Sequence, residues 1–147
     1  RVAAGEKLAI GQREIEPKGH AIEFRVNAEN PERNFAPAPG LIEFVHFPGG
    51  RGVRVDSHIY SGYTVPPYYD SLLAKIIAVG ATRAEALATL ARALAEFTLE
   101  GLPTTAPLGQ AVLGDARFAR GEYTTSFLET FMQESFMIRQ SGGGGDA

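Results

Sequence analysis

The chain has 147 residues, enough for one domain with a real core, and its 44% hydrophobic and 21% charged residues argue against wholesale disorder. Its 14 basic and 17 acidic residues leave a net charge of −3, which argues against a general nucleic-acid binder, whose affinity rests on neutralising phosphates. It has no cysteine, which excludes a disulfide framework, a thiolate metal site and a cysteine nucleophile.

In chain order, Arg1-Val2-Ala3-Ala4-Gly5 reads as the end of a helix, with Gly5 where a helix commonly stops. That pattern implies further residues before Arg1. Leu8, Ile10 and Ile15 are expected as apolar anchors in a connecting segment that closes at Pro17-Lys18-Gly19. Beyond it, Ile22, Phe24 and Val26 alternate with Glu23, Arg25 and Asn27. A period of two marks a strand with one buried and one polar face. The polar face sets a guanidinium between a carboxylate and an amide. The planar fork of arginine matches carboxylate, bicarbonate or phosphate, so Arg25 is the candidate anion ligand. The same residues also suit a solvated strand with a structural Arg–Glu pair, and such pairs contribute little. The strand alone leaves both open.

Asn30 to Gly40 carries three prolines and reads as irregular, with Phe35 pinning it to the core. Leu41 to Phe47 is expected as a second strand, Pro48 to Gly52 as a hairpin-like turn, and Val53 to Asp56 as the strand returning antiparallel. Ser57 to Tyr63 continues as an extended apolar and aromatic segment. Thr64 to Asp70 is a loop stiffened by Pro66-Pro67, able to hold Tyr68, Tyr69 and Asp70 at a set position or simply to form a corner over the core. Leu72 to Val79 is the most apolar strand, interrupted only by Lys75, and is expected at the centre of the sheet. Thr82 and Glu85 form a capping box for a helix running to about Glu100, with Leu87, Leu90, Ala91, Leu94 and Phe97 as its buried stripe and Gly101 as its stop. Thr105 caps a second helix with Leu108, Val112 and Leu113 inward; Phe118 follows its end. After Gly121 a last helix spans about Ser126 to Ile138, packing Phe127, Leu128, Phe131 and Met132.

Strands precede helices, which predicts an α+β fold: an antiparallel sheet with helices packed after it. The boundaries are a connecting segment over 1–18, one domain over 19–138, and a flexible Gly-rich tail over 139–147. No apolar run approaches the ~20 residues of a membrane helix, and the N-terminus has no signal-peptide pattern. There is no phosphate loop of the strand–loop–helix kind and no nucleophile elbow. His20, His46 and His58 lack metal-ligand spacing.

Four stretches in order go beyond this. Gly19-His20-Ala21-Ile22-Glu23-Phe24-Arg25-Val26-Asn27-Ala28-Glu29, Pro37-Ala38-Pro39-Gly40, Arg54-Val55-Asp56-Ser57-His58 and Gly62-Tyr63-Thr64-Val65-Pro66-Pro67-Tyr68-Tyr69-Asp70-Ser71 resemble the C-terminal domain of biotin carboxylase. The resemblance runs from about Arg1 to Met132. It implies a parent of ATP-grasp architecture, with residues 1–18 as the end of the preceding region and a linker. It implies a ligase that forms carboxyphosphate from ATP and bicarbonate and then carboxylates biotin.

Position by position, the resemblance makes Arg25 the arginine that contacts bicarbonate and stabilises the biotin oxyanion, and places Asp70 on the biotin-facing side. Arg51 and Arg54 fall at dimer contacts; Arg51 stands where some bacterial members carry an apolar aromatic residue. Thr105 stands where an Asn is common after Thr104, an exchange expected to be silent because either residue caps a helix. The resemblance implies ATP and Mg2+ bound upstream of Arg1, biotin presented on a carrier protein or domain, a carboxyltransferase partner, a homodimer and a cytoplasmic location. Acetyl-CoA carboxylase is the parent complex it suggests. It predicts that the isolated chain is inactive. A different class of function, a non-catalytic assembly or dimerisation module of a carboxylase complex, uses the same fold.

Overall fold

The computed structural model describes residues 1–136. Their order is β1 (His20–Asn27), β2 (Glu29–Asn30), β3 (Ala36–Pro37), β4 (Gly40–Leu41), β5 (Phe44–His46), β6 (Val53–Ser57), β7 (Thr64–Val65), β8 (Leu72–Gly80), α1 (Arg83–Glu96), β9 (Thr98–Glu100), α2 (Ala106–Leu113), α3 (Ala116–Arg120) and α4 (Phe127–Phe131). A π-helical turn, Met132–Phe136, extends α4. The expected tail over 139–147, and the last residues of the expected final helix, lie outside the described residues.

The α+β expectation holds. The main sheet is antiparallel, in the order β1-β8-β6, with β8 at its centre as its composition predicts. Strand β1 alternates as its sequence does, with Glu23 and Arg25 exposed and Val26 fully buried. Helix α1 packs Ala86, Leu90, Ala93 and Leu94 onto one face of this sheet, where they meet Val26, Ala74, Ile76 and Ala78. The alanines let the helix lie close to the sheet. Ala91, expected inward, is exposed, and Leu87 is half-buried. Gly80 makes the tight approach possible: a Cβ there would lie 2.6 Å from Glu85 Cβ and 2.7 Å from Ala86 N. The cap of α1 also forms. Glu85 N donates to Thr82 Oγ1 at 3.2 Å, while Glu85 Oε2 accepts from Ala81 N at 2.8 Å, so the box closes on Ala81.

Several expectations fail where pairing is not local. The stretch Leu41–Phe47 is not one strand: β4 pairs with β7 and β5 with β9, while Ile42 between them is fully buried in a second core cluster. Strand β6 does not return against β5 but pairs with β8. The segment after Ser57 turns instead of extending, and only Ile59 in it is buried. Helix α1 stops at Glu96, because Phe97 is buried in extended conformation and the chain continues as β9. A strand therefore follows the first helix. Phe118 lies inside α3, a helix the sequence reading passed over. Leu128 is exposed, whereas Phe131 is buried against Leu108, with Phe35 pinned beside them as expected. Leu8, Ile10 and Ile15 are 68%, 57% and 54% exposed, so they anchor nothing among the described residues. Among the described residues no helix is long and apolar enough to cross a membrane.

Candidate functional site

The face of the main sheet opposite α1 carries no helix among the described residues, and the register lines up polar side chains there. In one row Arg25 stands beside Lys75 and Lys75 beside Asp56; in the next, Glu23 stands beside Ile77 and Ile77 beside Arg54. Arg25 is exposed. The arginine ion pairs of the described residues involve Arg1, Arg54, Arg92, Arg117 and Arg120. Among those residues no carboxylate pairs with Arg25, so the structural Arg–Glu pair allowed by the sequence does not form.

The backbone under Arg25 is fixed at its outer edge. Thr105, 8% exposed, accepts a hydrogen bond from Asn27 N at 3.0 Å and donates one to the Arg25 carbonyl at 3.1 Å, both through Oγ1. Thr105 makes no side-chain cap to α2, contrary to expectation; Thr104 Oγ1 accepts from Ala106 N at 3.3 Å instead. The hydroxyl is spent on the strand, because an edge strand leaves alternate backbone groups without a partner. Asn27 is held too: its Nδ2 donates to Glu29 Oε1 at 3.2 Å, and Ser71 Oγ donates to the same carboxylate oxygen. Asn27 Oδ1 is buried and finds no partner among the described residues. An apolar groove of about 470 Å³ opens along this edge, with Arg25 and Asn27 on its rim and Phe24, Leu108 and Phe127 in its wall.

Asp70 reaches the same end of the sheet as Asn27. Ala28 N donates to the Ser71 carbonyl at 2.8 Å, and Asn27 is in register with Leu72. Asp70 Oδ1 accepts from Leu72 N at 2.8 Å, a turn that starts β8, and among the described residues Asp70 makes no ion pair with Arg25. Tyr68 and Tyr69 are 84% and 83% exposed, so the stiff loop presents them outward and does not form a corner over the core. Arg51 lies in the turn before β6, at the other end of the sheet, exposed. Arg54 shares the face opposite α1 with Arg25 and binds Asp56 through Nε and Nη2 at 2.8 and 2.9 Å. That hydrogen bond holds the Asp56 carboxyl below its ordinary range, opposed by partial burial and helped by the charges of Arg54 and Lys75.

His20 lies 3.4 Å from Arg83 Nη1, His46 Nε2 is 4.0 Å from Glu96, and His58 meets Tyr63 edge-on. No group of three His, Cys, Asp or Glu side chains able to hold a metal ion occurs among the described residues. Sequence reasoning passed over Lys75, Thr105 as a strand tie, and the Glu29–Ser71 bond. A lone lysine in the most apolar strand was the one available signal.

The architecture is that of a small α+β domain that sets Arg25 and Lys75 side by side on the sheet face opposite α1. The chain belongs to the biotin carboxylase C-terminal domain family, whose sequence model matches residues 23–130. It is 52% identical over 131 residues to biotin carboxylase 1 of Bacillus subtilis, covering 89% of this chain and 29% of that protein. It is 47% identical over 131 residues to a pyruvate carboxylase subunit of Methanothermobacter thermautotrophicus, covering 89% of this chain and 27% of that one. Among solved structures, the biotin carboxylase domain dimer of Hydrogenobacter thermophilus 2-oxoglutarate carboxylase, in complex with MgADP, ADP and bicarbonate, matches with a TM-score of 0.86 at 41% identity over 89% of this chain and 29% of that one. The biotin carboxylase subunit of pyruvate carboxylase matches with a TM-score of 0.86 at 41% identity, over 90% and 29%. The chain thus spans under a third of the length of the curated relatives it matches.

Proposed function

We propose that the chain is the C-terminal part of a biotin carboxylase, which uses ATP and bicarbonate to carboxylate biotin on its carrier protein, and that Arg25 is its catalytic contribution. The observation that carries this reading is an exposed arginine, without an ion-pair partner among the described residues, on a strand pinned beneath it by Thr105. A guanidinium carried on a held backbone stabilises developing negative charge on an oxygen better than mobile water does, because less reorganisation is left to complete. Toward bicarbonate it offers two donors in one plane; toward the ureido oxygen of biotin it offers the same donors as charge accumulates there. ATP and Mg2+ belong, in this reading, to the longer part of the enzyme outside this chain, and the chain alone is inactive. The domain extends over 19–138, with 1–18 as the connection to that part. Asp70 lies on the biotin side, and Arg51 and Arg54 contribute to a homodimer contact. A carboxyltransferase partner and a cytoplasmic location complete the reading. Acetyl-CoA is taken as the final acceptor, as the sequence resemblance suggests.

Arg25→Gln and Arg25→Lys in the full-length carboxylase test this. Loss of one preorganised donor should lower biotin carboxylation about 100- to 1,000-fold, with lysine rescuing in part, since it keeps the charge and loses the planar fork. Carboxylation should fall more than bicarbonate-dependent ATP hydrolysis, and the melting temperature should stay near that of the parent. Near-normal carboxylation in both variants refutes the assignment.

A further inference from the structure

Lys75 is the one charged residue in β8; its neighbours from Leu72 to Val79 are all apolar. A charge brought into a central strand, with its stem half-buried, calls for a partner. The register sets Lys75 opposite Arg25 on one side and Asp56 on the other. Backbone bond directions fix the kind of pairing. The Arg25 carbonyl points outward to Thr105, while Val79 N bonds the Gly52 carbonyl and the Leu73 carbonyl bonds Ser57 Oγ, both on the β6 side. By alternation, Arg25 and Lys75 form a non-hydrogen-bonded pair, the arrangement in which facing Cα atoms lie about 4.5 Å apart and side chains come closest.

Like charges placed directly opposite each other repel. Asp56 acts on Lys75 only through space, outside ion-pair distance, since Arg54 holds both its oxygens at 2.8 and 2.9 Å. Glu23 faces Ile77 in the next row. Among the described residues neither cation has a carboxylate within ion-pair distance, so the pair has no directly bound anion.

We propose that Lys75 is the second cation of a two-point oxyanion site shared with Arg25, an inference that rests on the role assigned to Arg25 above. The guanidinium takes two positions in the plane of the anion, and the ammonium meets an oxygen as a mobile point charge. The ligand is a small planar oxyanion, either bicarbonate or the ureido oxygen of biotin as it becomes negative. Binding relieves the repulsion between the two cations, so the site favours anions over neutral ligands of the same shape.

The experiment uses the full-length carboxylase. Lys75→Met keeps the stem and removes the charge, Lys75→Gln is a second neutral variant in case methionine disturbs folding, and Lys75→Arg keeps the charge. With bicarbonate as the site's ligand, both neutral variants raise the KM for bicarbonate about tenfold, the effect of one charge-assisted hydrogen bond, and Lys75→Arg recovers most of it. The same rise in the KM for free biotin at saturating bicarbonate assigns the ureido oxygen instead. In either case the melting temperature of the neutral variants equals or exceeds that of the parent, because a repulsion has been removed; a lysine with a structural role would lower it. If neither KM moves in the neutral variants while Arg25→Gln loses carboxylation, Lys75 is no part of the site and the proposal is overturned with the Arg25 reading intact. If Arg25→Gln is also normal, both fall together.

Discussion

Replacing Thr105 by Val keeps the shape of the side chain and deletes one oxygen. That oxygen serves two backbone groups, accepting from Asn27 N at 3.0 Å and donating to the Arg25 carbonyl at 3.1 Å, in a residue 8% exposed. The valine cannot replace either bond, and its methyl excludes the water that could. An unsatisfied buried backbone donor costs about 1–3 kcal/mol. The carbonyl retains some access to solvent at the strand edge, so a loss of about 2 kcal/mol is expected. For a chain of this size that corresponds to a fall of about 4–8 °C in melting temperature, followed by circular dichroism. Thr105→Ser keeps the hydroxyl and should lose only the methyl contact, about 1 kcal/mol. Thr105→Asn should also be mild, because an amide offers a carbonyl acceptor and NH2 donors, which cover both roles of the hydroxyl. The Thr–Asn exchange at this position is then explained by the strand tie and not by a helix cap. A valine variant that melts with the parent would show that the two bonds contribute nothing, and the argument that Arg25 sits on a pinned backbone would go with them.

Gly109→Ala sets two terms against each other. Alanine is better than glycine in a helix by about 1 kcal/mol, but its Cβ would lie 2.5 Å from two ring atoms of Phe24 and 3.1 Å from Leu94 Cδ1. Overpacking of about 1–3 kcal/mol should win, lowering the urea midpoint; a more stable variant would mean the Phe24 ring swings aside at no cost. Asp115 should govern acid stability near α3. The Arg117 hydrogen bond, against partial burial, lowers its carboxyl from 3.8 to about 2. On acidification the unfolded chain takes up this proton first, so the stabilisation is complete above about pH 4 and disappears as pH falls through about 2. Melting curves of Asp115→Asn and the parent should therefore differ above pH 4 and converge toward pH 2; a gap that persists at pH 2 would assign the effect to something other than this charge.

The sequence by itself determined the features whose cause is local. The alternation over His20–Asn27 records, residue by residue, which side faces the core, so the strand and its polar face were legible before any partner was known. Thr82 with Glu85 marked the start of α1, because caps act within one turn, and Gly121 marked only the break before the last helix. The ordered stretches around Arg25 and Asp70 pointed to the family. What only the tertiary structure decided is the choice of partners. Nothing near Val53–Ser57 says that it pairs with Leu72–Gly80 instead of the nearer Phe44–His46; that choice follows from burying β8 between two neighbours and under α1. Nor could periodicity show that Thr105 serves a strand 78 residues earlier. The opposition of Arg25 and Lys75 is a matter of register, which depends on where two distant strands stop sliding past each other, and side-chain packing across the whole sheet sets that point.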